Sequence, residues 1–116
     1  MKLRHRGDGG VTTLATTVDI ADGLISRGRG LMFRRSIPDD YALVFEFDGV
    51  TARSVHMLFV PFPIDVLWLI DGEVQRVRTL SAWTGTAKES ADTFVELPAG
   101  AADGVAVGDT VEFVEE

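Results

Sequence analysis

Two Asp-Gly dipeptides, Asp48-Gly49 and Asp71-Gly72, each sit between apolar stretches. A two-residue hairpin turn needs left-handed backbone that Asp tolerates and Gly adopts freely, so this dipeptide between apolar runs is a strong short-range hairpin signal. Before the first dipeptide, Tyr41, Leu43, Phe45 and Phe47 alternate with other residues and face one way, with Glu46 on the other side. A hairpin there pairs Val50 with Phe47 and sets Tyr41 opposite His56. Before the second, Val66–Ile70 is continuously apolar, the pattern of a strand buried on both faces. That hairpin leads into Val74–Leu80.

Further segments extend the β pattern. Val11–Val18 is Thr-rich and β-branched, and Thr93–Leu97 and Thr110–Val114 read as strands. The Gly- and Ala-rich segment Pro98–Asp109 joins the last two. Ser36–Asp40 reads as a loop, and Ser81–Asp92 as a long loop carrying Trp83. The first ten residues hold three glycines and no periodicity, so 1–10 is expected to be a flexible tail and 11–116 a single β-rich domain. Asp19 or Asp22 can cap a helix running to about Arg29, with Ile20, Leu24, Arg27 and Leu31 on one stripe. Gly23, Gly28 and Gly30 weaken that helix while letting another backbone approach closely. The expected fold is mainly β (α+β): a small antiparallel β-barrel or sandwich of about seven strands, with one short N-terminal helix packed on it.

Composition narrows the function classes. The 116 residues carry 18 acidic and 11 basic side chains, a net charge of −7. Nucleic-acid binding relies on clustered cations, so this balance argues against it. The acid is mostly Asp and lysine is confined to Lys2 and Lys88, a usage suited to a salt-rich cytoplasm in which surface repulsion is screened, or to an ordinary acidic protein from a genome biased toward arginine codons. The absence of cysteine removes disulfides, thiolate nucleophiles and zinc–thiolate sites. The start, Met1–Gly10, has no apolar signal-peptide core and no apolar run approaches the length of a membrane span, so a cytoplasmic chain without membrane contact is expected.

Polar residues set where a passive core would not want them are the candidate site. Arg27 falls on the apolar stripe, and a guanidinium there must pair or reach water. Asp65 opens the most buried strand directly after Pro63-Ile64 and must likewise find donors, which makes it the natural partner of Arg27. Closed, the pair is an internal brace that docks the helix; open, Arg27 holds an anionic ligand bidentately. His56, between Val55 and Met57, is either a hydrogen-bonded core imidazole or an acid–base group tuned by Asp65 or Tyr41. A metal site would need His56 to recruit carboxylates such as Asp65, because His5 is the only other imidazole and sits in the expected tail. No calcium-loop spacing is present, although Asp39-Asp40 could weakly hold a hard cation; Gly28-Arg29-Gly30 is only a fragment of a nucleotide fingerprint, and Ser54 with His56 lacks a nucleophile elbow. No metal and no cofactor are expected. Met32, Met57 and Trp68 read as core.

Three segments in order, Arg27–Arg34, Val55–Asp71 and Glu96–Gly100 followed by Gly108-Asp109, resemble the domain-of-unknown-function family numbered 192, from about Leu14 to Val114. Arg27, Gly30, Leu31, Met32, Met57, Pro63 and Asp65 match its motif. His56 stands where Trp is common, Leu58-Phe59-Val60 replaces the usual Asn-Thr, and Ile64 replaces Leu. The resemblance implies a compact β-rich domain with one packed helix, many of whose relatives are exported or lipid-anchored, and it implies no activity. The reading that follows is a non-enzymatic binding or accessory domain that recognises a small ligand, anionic where Arg27 is open, or a protein surface, with Arg27, His56 and Asp65 as ligand-binding residues. The competing readings are an enzyme with His56 and Asp65 as acid–base pair and Arg27 as anion holder, and a purely structural polar core.

Overall fold

The computed structural model describes residues 1–21, 23 and 28–115. Eight strands follow in order: β1 (Lys2–Gly7), β2 (Gly10–Ala15), β3 (Thr17–Ile20), β4 (Tyr41–His56), β5 (Ile64–Ile70), β6 (Glu73–Leu80), β7 (Thr86–Pro98) and β8 (Thr110–Val114). They form one open sheet in the order β2-β1-β8-β6-β5-β7-β4-β3. The β3–β4 pair is parallel and every other ladder antiparallel. The apolar run at 66–70 explains the centre: β5 is buried along nearly its whole length because β6 and β7 flank it and side chains cover both faces. Asp71 and Gly72 take φ of 49° and 80°, so the turn between β5 and β6 is the expected hairpin turn, with Ile70 opposite Glu73.

Asp48-Gly49 does not turn the chain. β4 runs on through Asp48-Gly49 and both its halves pair with β7, Glu46 opposite Thr93 and Thr51 opposite Ala91. Residues 47–50 therefore face Asp92 alone, in a wide bulge. The expected pairings of Val50 with Phe47 and Tyr41 with His56 are replaced by Tyr41 with Thr17 and His56 with Thr86. The long β7 decides this, since it offers a continuous partner to both halves of β4. Arg53 fills the bend: its Nη2 donates to the Gly49 carbonyl at 2.6 Å and its Nε to that of Ala91 at 3.2 Å, with the guanidinium 3.8 Å over the Phe47 ring. Beyond the bulge the β4–β7 ribbon folds over the face of β5, where Trp68 Nε1 donates to the Arg53 carbonyl at 3.1 Å.

Two apolar clusters result, one on each face. Leu43, Phe45, Ile64, Val66 and Trp68 pack under the folded ribbon with Leu31, Met57 and Val60. On the other side, Val44, Leu67, Leu69 and Val95 meet Leu3, Ala15 and Val111 as the sheet coils.

Several expectations are corrected. The expected tail contains β1, which pairs with both β2 and β8. The expected loop at 81–92 shrinks to Ser81–Gly85, because Thr86–Asp92 belongs to β7. Eight strands form one open sheet, so neither a closed barrel nor a two-sheet sandwich describes the pairing. The N-terminal helix is not supported: Asp19 and Ile20 belong to β3, whose β-branched Thr17, Val18 and Ile20 suit a strand beside β4. Among the described residues only Gly28 and Arg29 have helical backbone, and Leu24–Arg27 lie outside them.

Candidate functional site

Glu96 is the residue the sheet treats most strangely. Along β7 it stands opposite Leu43 on one side and Val66 on the other, facing the first apolar cluster. It is 6% exposed, and burial pushes its carboxyl up to about 8, with the charge of Arg34 pulling the other way. At neutral pH it is therefore mostly a neutral acid. Its Oε1 is buried without a hydrogen-bond partner among the described residues, an unusual state for a buried oxygen.

Gly30 closes over this carboxyl with φ of 52°, a backbone that suits glycine. A β-carbon there would lie 3.6 Å from Glu96 Oε1 and 3.4 Å from Phe45 Cζ. Two openings meet at Arg29 and Gly30. The larger, about 350 Å³, is lined by Asp19, Ile20, Ala21, Arg29, Gly30, Arg34 and Leu43. The smaller, about 50 Å³, reaches Glu96 and is also bordered by His56, Leu31 and Phe45. Arg34 lies 5.2 Å from the centre of the Tyr41 ring, and the Tyr41 hydroxyl donates to Asp19 Oδ2 at 2.8 Å. Burial first, and then the Asp19 carboxylate, raise the Tyr41 hydroxyl above its usual range. Arg29 and Arg34 line the larger opening and Glu96 the smaller, and the two meet at Arg29 and Gly30, a setting suited to an anion that also hydrogen-bonds.

The residues expected to form the site are dispersed. His56 is exposed, and its Nδ1 accepts the Leu58 N–H at 3.2 Å, so that hydrogen bond assigns the ring proton to Nε2. It borders the small opening beside Glu96. Asp65 is buried on the opposite face of the sheet, beside Ala102 of the second cluster. Its Oδ1 accepts from Thr79 Oγ1 at 2.7 Å, and its Oδ2 from the backbone N–H groups of Gly100 and Ala102, both at 2.9 Å. His56 and Asp65 are thus not brought together, and Asp65 spends both oxygens tying the 99–102 turn to the sheet. Arg27 lies outside the described residues. Among the described residues no group of three or more His, Cys, Asp or Glu could hold a metal ion.

His5, expected in a tail, is instead 6% exposed, with Nε2 2.7 Å from Asp109 Oδ2. The His5 hydrogen bond, followed by that from the Ala106 N–H, holds the Asp109 carboxyl below its usual range. Glu96 was the residue sequence reasoning missed as a site. The available signal was a carboxylate inside the otherwise apolar run Phe94–Leu97.

Comparison with known proteins sets this geometry in a family. The family model of DUF192, described as "Uncharacterized ACR", matches residues 5–113. Proteins named UPF0127 from Thermococcus gammatolerans and Thermococcus kodakarensis are each 36% identical to the chain over 87 residues, 72% of its length. The match spans 56% and 54% of those relatives, so the chain accounts for little more than half of each. Among solved structures, a proposed transcription regulator from Sinorhizobium meliloti superposes with a TM-score of 0.83 at 27% identity, covering 96% of this chain and 91% of that one. A protein of unknown function from Novosphingobium aromaticivorans gives 0.82 at 20% identity, over 97% and 84%, and shows the shared fold alone. The match over residues 5–113, with these relatives beside it, means that the chain belongs to the DUF192 family.

Proposed function

We propose that this is a non-enzymatic binding domain that takes a small anionic ligand into the cleft between Arg29, Gly30, Arg34 and Glu96. The observation that carries the reading is the Glu96 Oε1 atom, buried and without a partner among the described residues, beside a small opening that shares Arg29 and Gly30 with the larger one lined by Arg34. A protonated carboxyl does not repel an anion, and it can both donate to and accept from a bound molecule. Arg29 and Arg34 supply charge-assisted contacts to carboxylate or phosphate oxygens. The enzymatic alternative has less support, because Asp65 spends both oxygens on Thr79, Gly100 and Ala102.

Thermal-shift titration with acetate, phosphate and citrate tests the reading, with chloride at matched ionic strength as the control. A ligand that binds only the folded form raises the melting temperature in proportion to the logarithm of its excess over Kd. Stabilisation beyond chloride, lost in Arg34→Ala and reduced in Glu96→Ala, supports the cleft. Equal responses in wild type and both variants would overturn it.

A further inference from the structure

A second surface borders the cleft, and none of its four large apolar side chains lines either opening. Phe33, Trp83, Leu58 and Phe59 are 64%, 56%, 55% and 44% exposed, a concentration of large apolar groups that folding alone does not call for. Three of them also occupy backbone that disfavours any side chain, with φ of 70° at Phe33, 59° at Phe59 and 67° at Trp83. Glycine would hold the same turns at lower cost, so the aromatic side chains contribute something other than the turn.

The three segments that carry them are fastened together. The Phe33 N–H donates to the Phe59 carbonyl at 2.8 Å and the Trp83 N–H to the Val60 carbonyl at 3.0 Å, so the turn at 57–60 is gripped from both sides. The Phe33 and Phe59 rings stack with centroids 5.0 Å apart. Side chains fixed in this way lose little conformational entropy when a partner covers them.

Charge says what the partner is like. In a chain of net charge −7, the stretches 28–38, 56–64 and 80–88 that build this surface contain no Asp or Glu, and they carry Arg29, Arg34, Arg35 and Lys88. From these observations we infer that Phe33, Leu58, Phe59 and Trp83 form a preorganised ridge that docks an acidic segment of a partner protein bearing aliphatic or aromatic side chains. The apolar ridge takes the partner's apolar groups, and the acid-free basic rim takes its carboxylates. Nucleic acid also stacks on aromatics, but the overall negative charge of the chain repels a continuous polyanion, whereas a short acidic segment meets only the local rim.

Fluorescence anisotropy tests the ridge with a short labelled peptide of Asp, Glu, Leu and Phe. The comparison probes are the same peptide with Gly for Leu and Phe, and single-stranded oligothymidine. The variants are Phe59→Gly and Trp83→Gly, which suit the local backbone, and Arg35→Glu, an exposed change that leaves the aromatics in place. The ridge predicts binding of the apolar-acidic peptide alone, weakened about tenfold or more by each variant, as for residues that anchor an interface. It also predicts melting temperatures of the Gly variants equal to or above wild type. Unchanged affinity in the variants, preferred binding of oligothymidine, or self-association of the chain abolished by the same variants would each overturn it. A marked fall in melting temperature in both Gly variants would overturn it as well, because the aromatics would then serve the fold.

Discussion

Glu96 gives up its charge on folding because its place between Leu43 and Val66 offers a carboxylate neither water nor a hydrogen-bond donor to Oε1. The unfolded chain ionises this residue near its ordinary 4.5, and the folded chain near 8. Between those values the native state holds the extra proton, so stability is full below about 4.5 and falls as pH rises toward 8. Glu96→Gln keeps the shape and removes the titration. Denaturant unfolding should show the variant gaining on wild type steadily from pH 5 to pH 8, by up to a few kcal/mol, and a constant difference would contradict the assignment. Asp65 is the opposite case, a buried carboxylate whose oxygens meet three donors. Asp65→Ala strands the Thr79 hydroxyl and two backbone N–H groups, and should cost about 3 kcal/mol or more by the same measurement. That Asp65 needs donors was legible from its place before a fully apolar strand. Which donors it finds was not, because two of the three come from a turn more than thirty residues later. The two histidines exchanged their expected settings for a similar reason: His5 is buried by β8 and Asp109, at the far end of the sequence.

At the scale of elements, Asp48-Gly49 and Asp71-Gly72, two of the chain's five Asp-Gly dipeptides, show where local signals stop being sufficient. Asp71-Gly72 joins strands that pair with each other, so turn chemistry and ladder agree. Asp48-Gly49 has the same chemistry, but β7 offers a continuous partner on both sides of it and the ladder prevails. The central run at 66–70 was readable because burial on both faces leaves no polar position to confuse the pattern. The first half of β7 was not, since Thr86–Ser90 alternates exposed and half-buried residues and looks like a loop when read alone. Arg53 holds the resulting bend through two carbonyls and one aromatic face. Arg53→Ala should destabilise by about 2 kcal/mol, the range for hydrogen bonds to a charged group. Amide hydrogen exchange in the folded ribbon should accelerate more than exchange in β5. Uniform acceleration would mean that Arg53 supports the whole sheet and not the bend.

For the molecule as a whole, a net charge of −7 on 116 residues means that folding gathers like charges, and salt relieves this. Raising KCl from about 0.01 M to about 1 M shrinks the screening length from about 30 Å to about 3 Å, and the melting temperature should rise across that range. A flat response would show that the charges are already offset by local pairs such as Arg6 with Glu112. The ladder that joins β1 to β8, Lys2 opposite Val114 through Arg6 opposite Thr110, has a further consequence, in time. Contacts between residues so distant in sequence close a very long loop, and they form only after nearer pairings have repaid part of that entropy. Leu3 is fully buried in β1, and Leu3→Ala should cost about 2–5 kcal/mol. In stopped-flow chevrons nearly all of that loss should fall on the unfolding limb, because the seam between β1 and β8 is set after the transition state and is the first to open on the way out.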